Sequence, residues 1–142
     1  MERIRWRNVL LGGLAAGVIV DILEALLNGV FMMKEWEAAM QALGKHSTVG
    51  PAQLFAYNLW GLLAGIAAVW LYAELRPRYG AGHLTAVCAG AATWALAYAF
   101  PTIPALAADM LPARLLLVSL AWGLPEIVLA AVAGAAVYRR AG

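Results

Sequence analysis

The chain lacks most of the residues on which soluble enzymes and metalloproteins depend. Its one cysteine, Cys88, excludes an intrachain disulfide and any paired-cysteine redox or zinc motif. Its two histidines, His46 and His83, form no Glu-x-x-His pair, so a di-iron bundle is not expected. No Ser-His-Asp, Cys-His or His-metal arrangement is present. We therefore predict that the protein is not an enzyme and has no catalytic residue, no transition-metal site and no cofactor.

Charged residues are also scarce. They make up 13% of the 142 residues, against about a quarter in an ordinary soluble domain. The net charge is only +2, and no basic helix with interleaved aromatic residues occurs, so nucleic acid is excluded as a partner. Hydrophobic residues make up 64% of the chain. This composition predicts a protein whose main partner is the lipid bilayer.

The hydrophobic residues fall into four runs, 9–33, 55–75, 84–100 and 115–138, of which the third is the shortest. Each is close to the roughly 20 residues that a helix needs to cross the hydrocarbon core. None shows the strict alternation of a membrane barrel strand. We predict an all-α fold, an antiparallel four-helix transmembrane bundle with helices near residues 9–33, 54–76, 83–100 and 114–139. All of residues 1–142 would form one integral membrane domain.

The basic residues predict the orientation of the helices. Seven of the ten lie before the first run, between the second and third, or after the fourth. Lys34, Lys45 and Arg114 lie on the opposite side. Because short cytoplasmic loops are enriched in lysine and arginine, we expect a multi-pass protein of the inner (cytoplasmic) membrane with both termini in the cytoplasm.

The connections between the runs differ in character. The outer segments "EWEAAMQAL" (35–43) and "PTIPALAADMLPAR" (101–114) are amphipathic, which predicts short helices in the outer membrane surface. The inner link "ELRPRYGAG" (74–82) predicts a compact turn, in which Pro77 and the glycines stop the helix.

Two further patterns concern the layout of the chain. The triplet "WGL" opens both the second and the fourth run, at Trp60 and Trp122, which is compatible with two parallel hairpin repeats, 1–78 and 79–142. The stretch "NGVFMMKEWEAAMQALG" (28–44) resembles small uncharacterised bacterial four-helix integral membrane proteins. That resemblance covers about the first third of the chain and implies a membrane protein, with no activity or site residues attached.

Small residues recur at four-residue spacing in every run, which lets helices approach closely. Packing within one bundle accounts for these pairs better than a dimer face. The pairs are Gly13 and Gly17, Gly61 and Gly65, Ala86 and Gly90, and Ala130 and Gly134.

Acidic residues inside the apolar runs are the main functional signal. Asp21, Glu24 and Asn28 are spaced i, i+3 and i+7, on one side of a helix. Counted along the helices, Asp21 and Glu126 come to within about one turn of the same depth. No lysine or arginine lies deep in the runs to neutralise them. Since a buried charge is costly in the bilayer, the remaining options are protonation, a bound cation, hydrogen bonds or a water-filled cavity.

Two functions fit this pattern. The leading hypothesis is a proton- or cation-linked transporter or channel, with Asp21, Glu24, Asn28 and Glu126 as the ion- or proton-binding site. Pro125, beside Glu126, would free a backbone carbonyl there. The alternative is a non-catalytic accessory or structural subunit of a membrane complex, whose polar cluster holds helices together or docks a partner. The expected partners are a proton or cation, and further copies of the chain or another membrane protein.

Overall fold

The computed structural model describes residues 3–142, so the first two residues of the predicted domain lie outside the described part. Within this range the chain is helical and contains no β-strand. Two π-helical turns interrupt the α-helices, the first at Leu27–Phe31 and the second at Ala95–Ala99. The α-helices are α1 (Trp6–Leu26), α2 (Met33–Ala42), α3 (Pro51–Tyr79), α4 (His83–Trp94), α5 (Phe100–Ala107) and α6 (Ala113–Arg140).

Four helical segments of the described chain are long and apolar enough to cross a membrane. They are Trp6–Phe31, Pro51–Tyr79, His83–Ala107 and Ala113–Arg140. The prediction of an all-α protein with four long apolar helices is confirmed, and the composition of these helices supports a membrane protein.

The two outer segments behave differently from each other. The first forms α2, close to the predicted boundaries. The second was wrongly predicted as separate from the third span, because α4, the second π turn and α5 follow one another without a break to Ala107. The wide π turn ends just before Pro101, whose ring would otherwise clash with a carbonyl in the preceding turn. The third span is therefore longer than predicted.

The inner link also corrects a prediction. Pro77 lies inside α3 and does not end it, since the helix continues to Tyr79. The helix ends at Gly80, whose φ of 87° is in a region that side-chain-bearing residues rarely adopt. Gly80, and not Pro77, is thus the stop signal.

Glycines set how closely the helices approach. A β-carbon built on Gly17 would lie 2.5 Å from the Cα of Leu62 on α3, and one on Gly13 would lie 2.6 Å from that of Ile66. These two pairs run in opposite directions along the chain, so α1 and α3 are antiparallel. On another side of α1, a β-carbon on Gly12 would lie 2.5 Å from the carbonyl oxygen of Gly134 on α6. The small residues therefore allow close packing between helices of the same chain.

Hydrogen bonds from side chains to backbone oxygens connect several chain segments at one end of the molecule. The Arg5 guanidinium donates to Gly142 over 3.1 Å, and the Asn8 amide to the Tyr138 carbonyl over 3.2 Å. Arg139 donates to the carbonyl of Ala81, in the α3–α4 link, over 3.3 Å. The segments carrying the seven arginines on one side of the predicted topology therefore lie together. The cytoplasmic location of this end stays a prediction.

Candidate functional site

Glu126 is the most deeply buried charged residue among those described, with 1% of its surface exposed. Both of its carboxyl oxygens accept hydrogen bonds. The Tyr98 hydroxyl donates to Oε1 over 2.5 Å, and the Trp122 indole, one turn earlier on α6, donates to Oε2 over 3.0 Å. Donors therefore come from both the second π turn and α6 itself.

Glu24, on α1, is held from the opposite side. The Asn28 side-chain amide donates to its Oε2 over 2.6 Å and to its backbone carbonyl over 3.0 Å. The Trp36 indole of α2 donates to the Asn28 side-chain oxygen over 2.8 Å. The short helix α2 is thus linked to Glu24 by hydrogen bonds through Asn28.

The carboxyl groups of Glu24 and Glu126 lie close enough to interact with each other. A carboxylate has no hydrogen to donate, so a hydrogen bond between two such groups requires a proton on one of them. The hydrogen bonds form two neighbouring sets of side chains, one around Glu24 and one around Glu126, and we call the two sets together the glutamate network. Its members are Glu24, Asn28, Trp36, Tyr98, Trp122 and Glu126.

Both π-helical turns contribute to the glutamate network. Asn28 lies in the first and Tyr98 in the second. In a π turn the backbone bonds run from residue i to i+5, as in the bond from the Met32 amide to the Leu27 carbonyl at 2.8 Å. Isolated π turns in α-helices are frequent at functional sites. Here they widen two helices at the positions from which polar side chains enter the interior.

A small residue makes room for the Tyr98 ring. Gly123 on α6 faces the ring so closely that an added β-carbon would overlap the ring carbons. On the other side, the ring is in edge-to-face contact with Trp60, with 5.2 Å between the ring centroids. The hydroxyl that reaches Glu126 is therefore positioned by contacts from α3 and α6.

Asp21 does not join the glutamate network. Its carboxyl group lies against Gly61 of α3, where a β-carbon would overlap it, and the side chain is partly exposed. In the described part of the chain it makes no hydrogen bond to another side chain. Positions i and i+3 differ by roughly 60° around a helix. Asp21 therefore faces α3, while Glu24 faces α6.

Three members of the glutamate network were missed by the sequence analysis. Trp122 could have been found, since "WGLPE" places it four residues before Glu126, on the same face of α6. Trp36 was assigned to the membrane surface, and its bond to Asn28 depends on how α2 folds back after the first π turn. No local pattern marks Tyr98, because its partner is 28 residues away.

The hydrogen-bond donors around Glu24 and Glu126 make the site more suitable for a proton than for a metal ion. Three carboxyl oxygens of Glu24 and Glu126 already accept N–H or O–H groups, and those donors would repel a cation. Among residues 3–142, no group of three or more His, Cys, Asp or Glu side chains is arranged to hold a metal ion.

No protein-family model, curated protein or solved structure matches the chain.

Proposed function

We propose that the protein is an antiparallel four-helix transmembrane bundle of the inner membrane that acts as a small proton-linked transporter or channel. The observation that carries this proposal is the buried, hydrogen-bonded carboxyl group of Glu126, with Glu24 close to it, among four apolar helices. Ionisable residues within membrane spans are costly and commonly mark proton or ion pathways. In this proposal the glutamate pair binds and releases the transported proton.

The members of the glutamate network have different roles in this proposal. Glu24 and Glu126 can each gain or lose a proton, and the Tyr98 hydroxyl, which can both donate and accept a hydrogen bond, lies against Glu126. The indole groups only donate, and the amide of Asn28 does not titrate. Trp36, Asn28 and Trp122 are thus positioning residues, which hold the two carboxyl groups in place.

A second candidate is an accessory or structural subunit, and one observation favours it. Within residues 3–142, every buried side-chain nitrogen and oxygen atom has a hydrogen-bond partner. A fully satisfied polar network rigidifies the structure around it and can specify one arrangement of helices. In that case the glutamate pair locks α1 against α6 and carries nothing.

Proton flux into liposomes distinguishes the two candidates. Purified protein is reconstituted around a pH-sensitive dye, and the unmodified chain is compared with Glu24→Gln and Glu126→Gln. An amide keeps the shape of the side chain without a titrating proton. We expect both variants to fold and to reduce proton flux to the level of protein-free liposomes. Glu74→Gln is the matched control, because Glu74 is an exposed acid outside the glutamate network.

Asp21→Asn separates a proton pair from a three-acid cation site. Because Asp21 faces Gly61 and lies outside the glutamate network, we expect this variant to retain most of the flux. Absence of flux in the unmodified protein under every pH or cation gradient would rule out the transporter. It would leave the structural role, for which the Gln variants should change thermal stability alone.

A further inference from the structure

A cavity of about 320 Å³ opens at the end of the molecule where the termini meet, away from the glutamate network. Three elements form it: the segment before α1, the last turns of α3 and the end of α6. Its lining includes Arg3 and Arg5 from the first element, Arg76 and Pro77 from the second, and Tyr138 from the third. We call this cavity the arginine pocket.

The arginine pocket concentrates positive charge. Its described lining contains three arginines and no aspartate or glutamate. Arg76 lies over the ring of Tyr138, with its Cζ 5.9 Å from the ring centroid, a cation–π arrangement that limits its freedom. Arg5 donates one bond to the backbone oxygen of Gly142 through one of the five N–H groups that a guanidinium carries.

A general bias of basic residues to one side of a membrane does not by itself account for this convergence. Seven arginines lie at or near this end, yet Arg7, Arg78 and Arg140 do not line the cavity. Guanidinium groups bind phosphate oxygens through paired N–H donors. The pocket also lies at the ends of the apolar spans, where lipid phosphates are located, and basic pockets between spans bind such headgroups.

We propose that the arginine pocket binds a phosphate group, supplied by the headgroup of an anionic membrane lipid. A free phosphate or a soluble phosphorylated compound offers the same chemistry, so the experiment includes both sources. The phosphate would lie among Arg3, Arg5 and Arg76, and the acyl chains would follow the apolar surface of α3.

The test measures lipid binding by the full-length protein in detergent micelles at physiological salt, where weak surface attraction is screened. Native mass spectrometry counts bound phosphatidylglycerol, phosphatidylcholine or inorganic phosphate. The pocket variant combines Arg3→Gln, Arg5→Gln and Arg76→Gln. The matched control combines Arg7→Gln, Arg78→Gln and Arg140→Gln, so both lose the same charge from the same end of the molecule.

We expect one phosphatidylglycerol to bind the unmodified protein and the control with similar affinity. Each arginine near an anionic headgroup contributes roughly a fivefold factor, so the pocket variant should bind about a hundredfold more weakly. Phosphatidylcholine should not bind. If the triple variant does not fold, Arg76→Gln against Arg78→Gln makes the same comparison at one site.

Equal losses in the pocket variant and the control would overturn the proposal, because general charge would then explain the binding. Binding of inorganic phosphate that depends on the same three arginines, with no preference for phosphatidylglycerol, would overturn the assignment to a lipid. Neither result depends on the outcome of the flux measurement.

Discussion

The glutamate network shows how single residues adapt a polar group to an apolar interior. Glu126 is 1% exposed and Tyr98 8% exposed, so water does not compensate either group. Each is instead matched by a side chain that offers the complementary donor or acceptor. A single replacement in the network therefore leaves a buried donor or acceptor of the partner residue without its hydrogen bond. The free energy of folding then becomes less favourable by the cost of that unpaired group.

Tyr98→Phe tests this dependence directly. The variant keeps the ring between Gly123 and Trp60 but removes the donor to Glu126. Since hydrogen bonds between membrane helices contribute about 0.6 kcal/mol on average, we expect a loss of stability below about 2 kcal/mol. The infrared stretching band of the shared carboxyl proton should shift at neutral pH. Infrared difference spectra and thermal unfolding measure the two effects.

Control variants assign that infrared band. It should be lost or displaced in Glu24→Gln and in Glu126→Gln, and unchanged in Glu74→Gln, since Glu74 lies outside the network. A protein with no protonated-carboxyl band in cation-free buffer would contradict a shared proton between the two glutamates.

The helices depend on close contact more than on large side chains. Gly17 and Gly65 lie at the same crossing of α1 and α3, where a β-carbon on Gly65 would overlap the backbone of Gly17. Such contacts replace the hydrophobic driving force, which is weak between helices surrounded by lipid. The separation of α1 from α3 is thus set by backbone atoms.

Gly65→Ala should therefore destabilise the fold. Its β-carbon would meet backbone atoms of α1, which cannot rotate away, so α1 and α3 must separate. Overpacking of this kind costs typically about 1–3 kcal/mol. Gly29→Ala is the control, because a β-carbon there has no neighbour within 4 Å. Thermal unfolding in detergent should show a lower midpoint for Gly65→Ala only, and equal midpoints would contradict this account of the crossing.

Element-level features were predictable where they depend on composition and not where they depend on tertiary geometry. The four long helices follow from runs of apolar residues, and the close crossings follow from glycine spacing. The π turns and the continuation of α3 through Pro77 have no comparable local signal. In the site, the spacing of Glu24 and Asn28 predicted a shared face. It did not show that Asp21 would face Gly61, because a helical face 60° wide can meet two different neighbours.

At the scale of the whole molecule, the two halves of the chain have the same order of elements. Each contains an α-helix, a π turn, a short helix and a long final helix, although the first α-helix has 21 residues in one half and 12 in the other. The glutamate network draws members from both halves, since Glu24 and Asn28 come from the first and Tyr98 and Glu126 from the second. The division of the chain into two hairpin repeats stays a prediction.

Both proposals depend on a prediction about the whole molecule, namely its orientation in the membrane. The arginine-rich end holds the termini and the α3–α4 link, and the distribution of basic residues predicts that this end faces the cytoplasm.

Labelling of single cysteines in intact cells tests this orientation, after the exposed native Cys88 has been replaced by alanine. Ala81→Cys, in the α3–α4 link, should react with a membrane-impermeant maleimide only after the membrane is opened. Ser47→Cys and Ala108→Cys, in exposed segments at the opposite end, should react in intact cells. All three replacements keep the number of lysines and arginines unchanged, so the charge bias that sets the orientation is not altered. Reaction of Ala81→Cys from outside, with protection of Ser47→Cys, would reverse the orientation and place the arginine pocket in the outer leaflet.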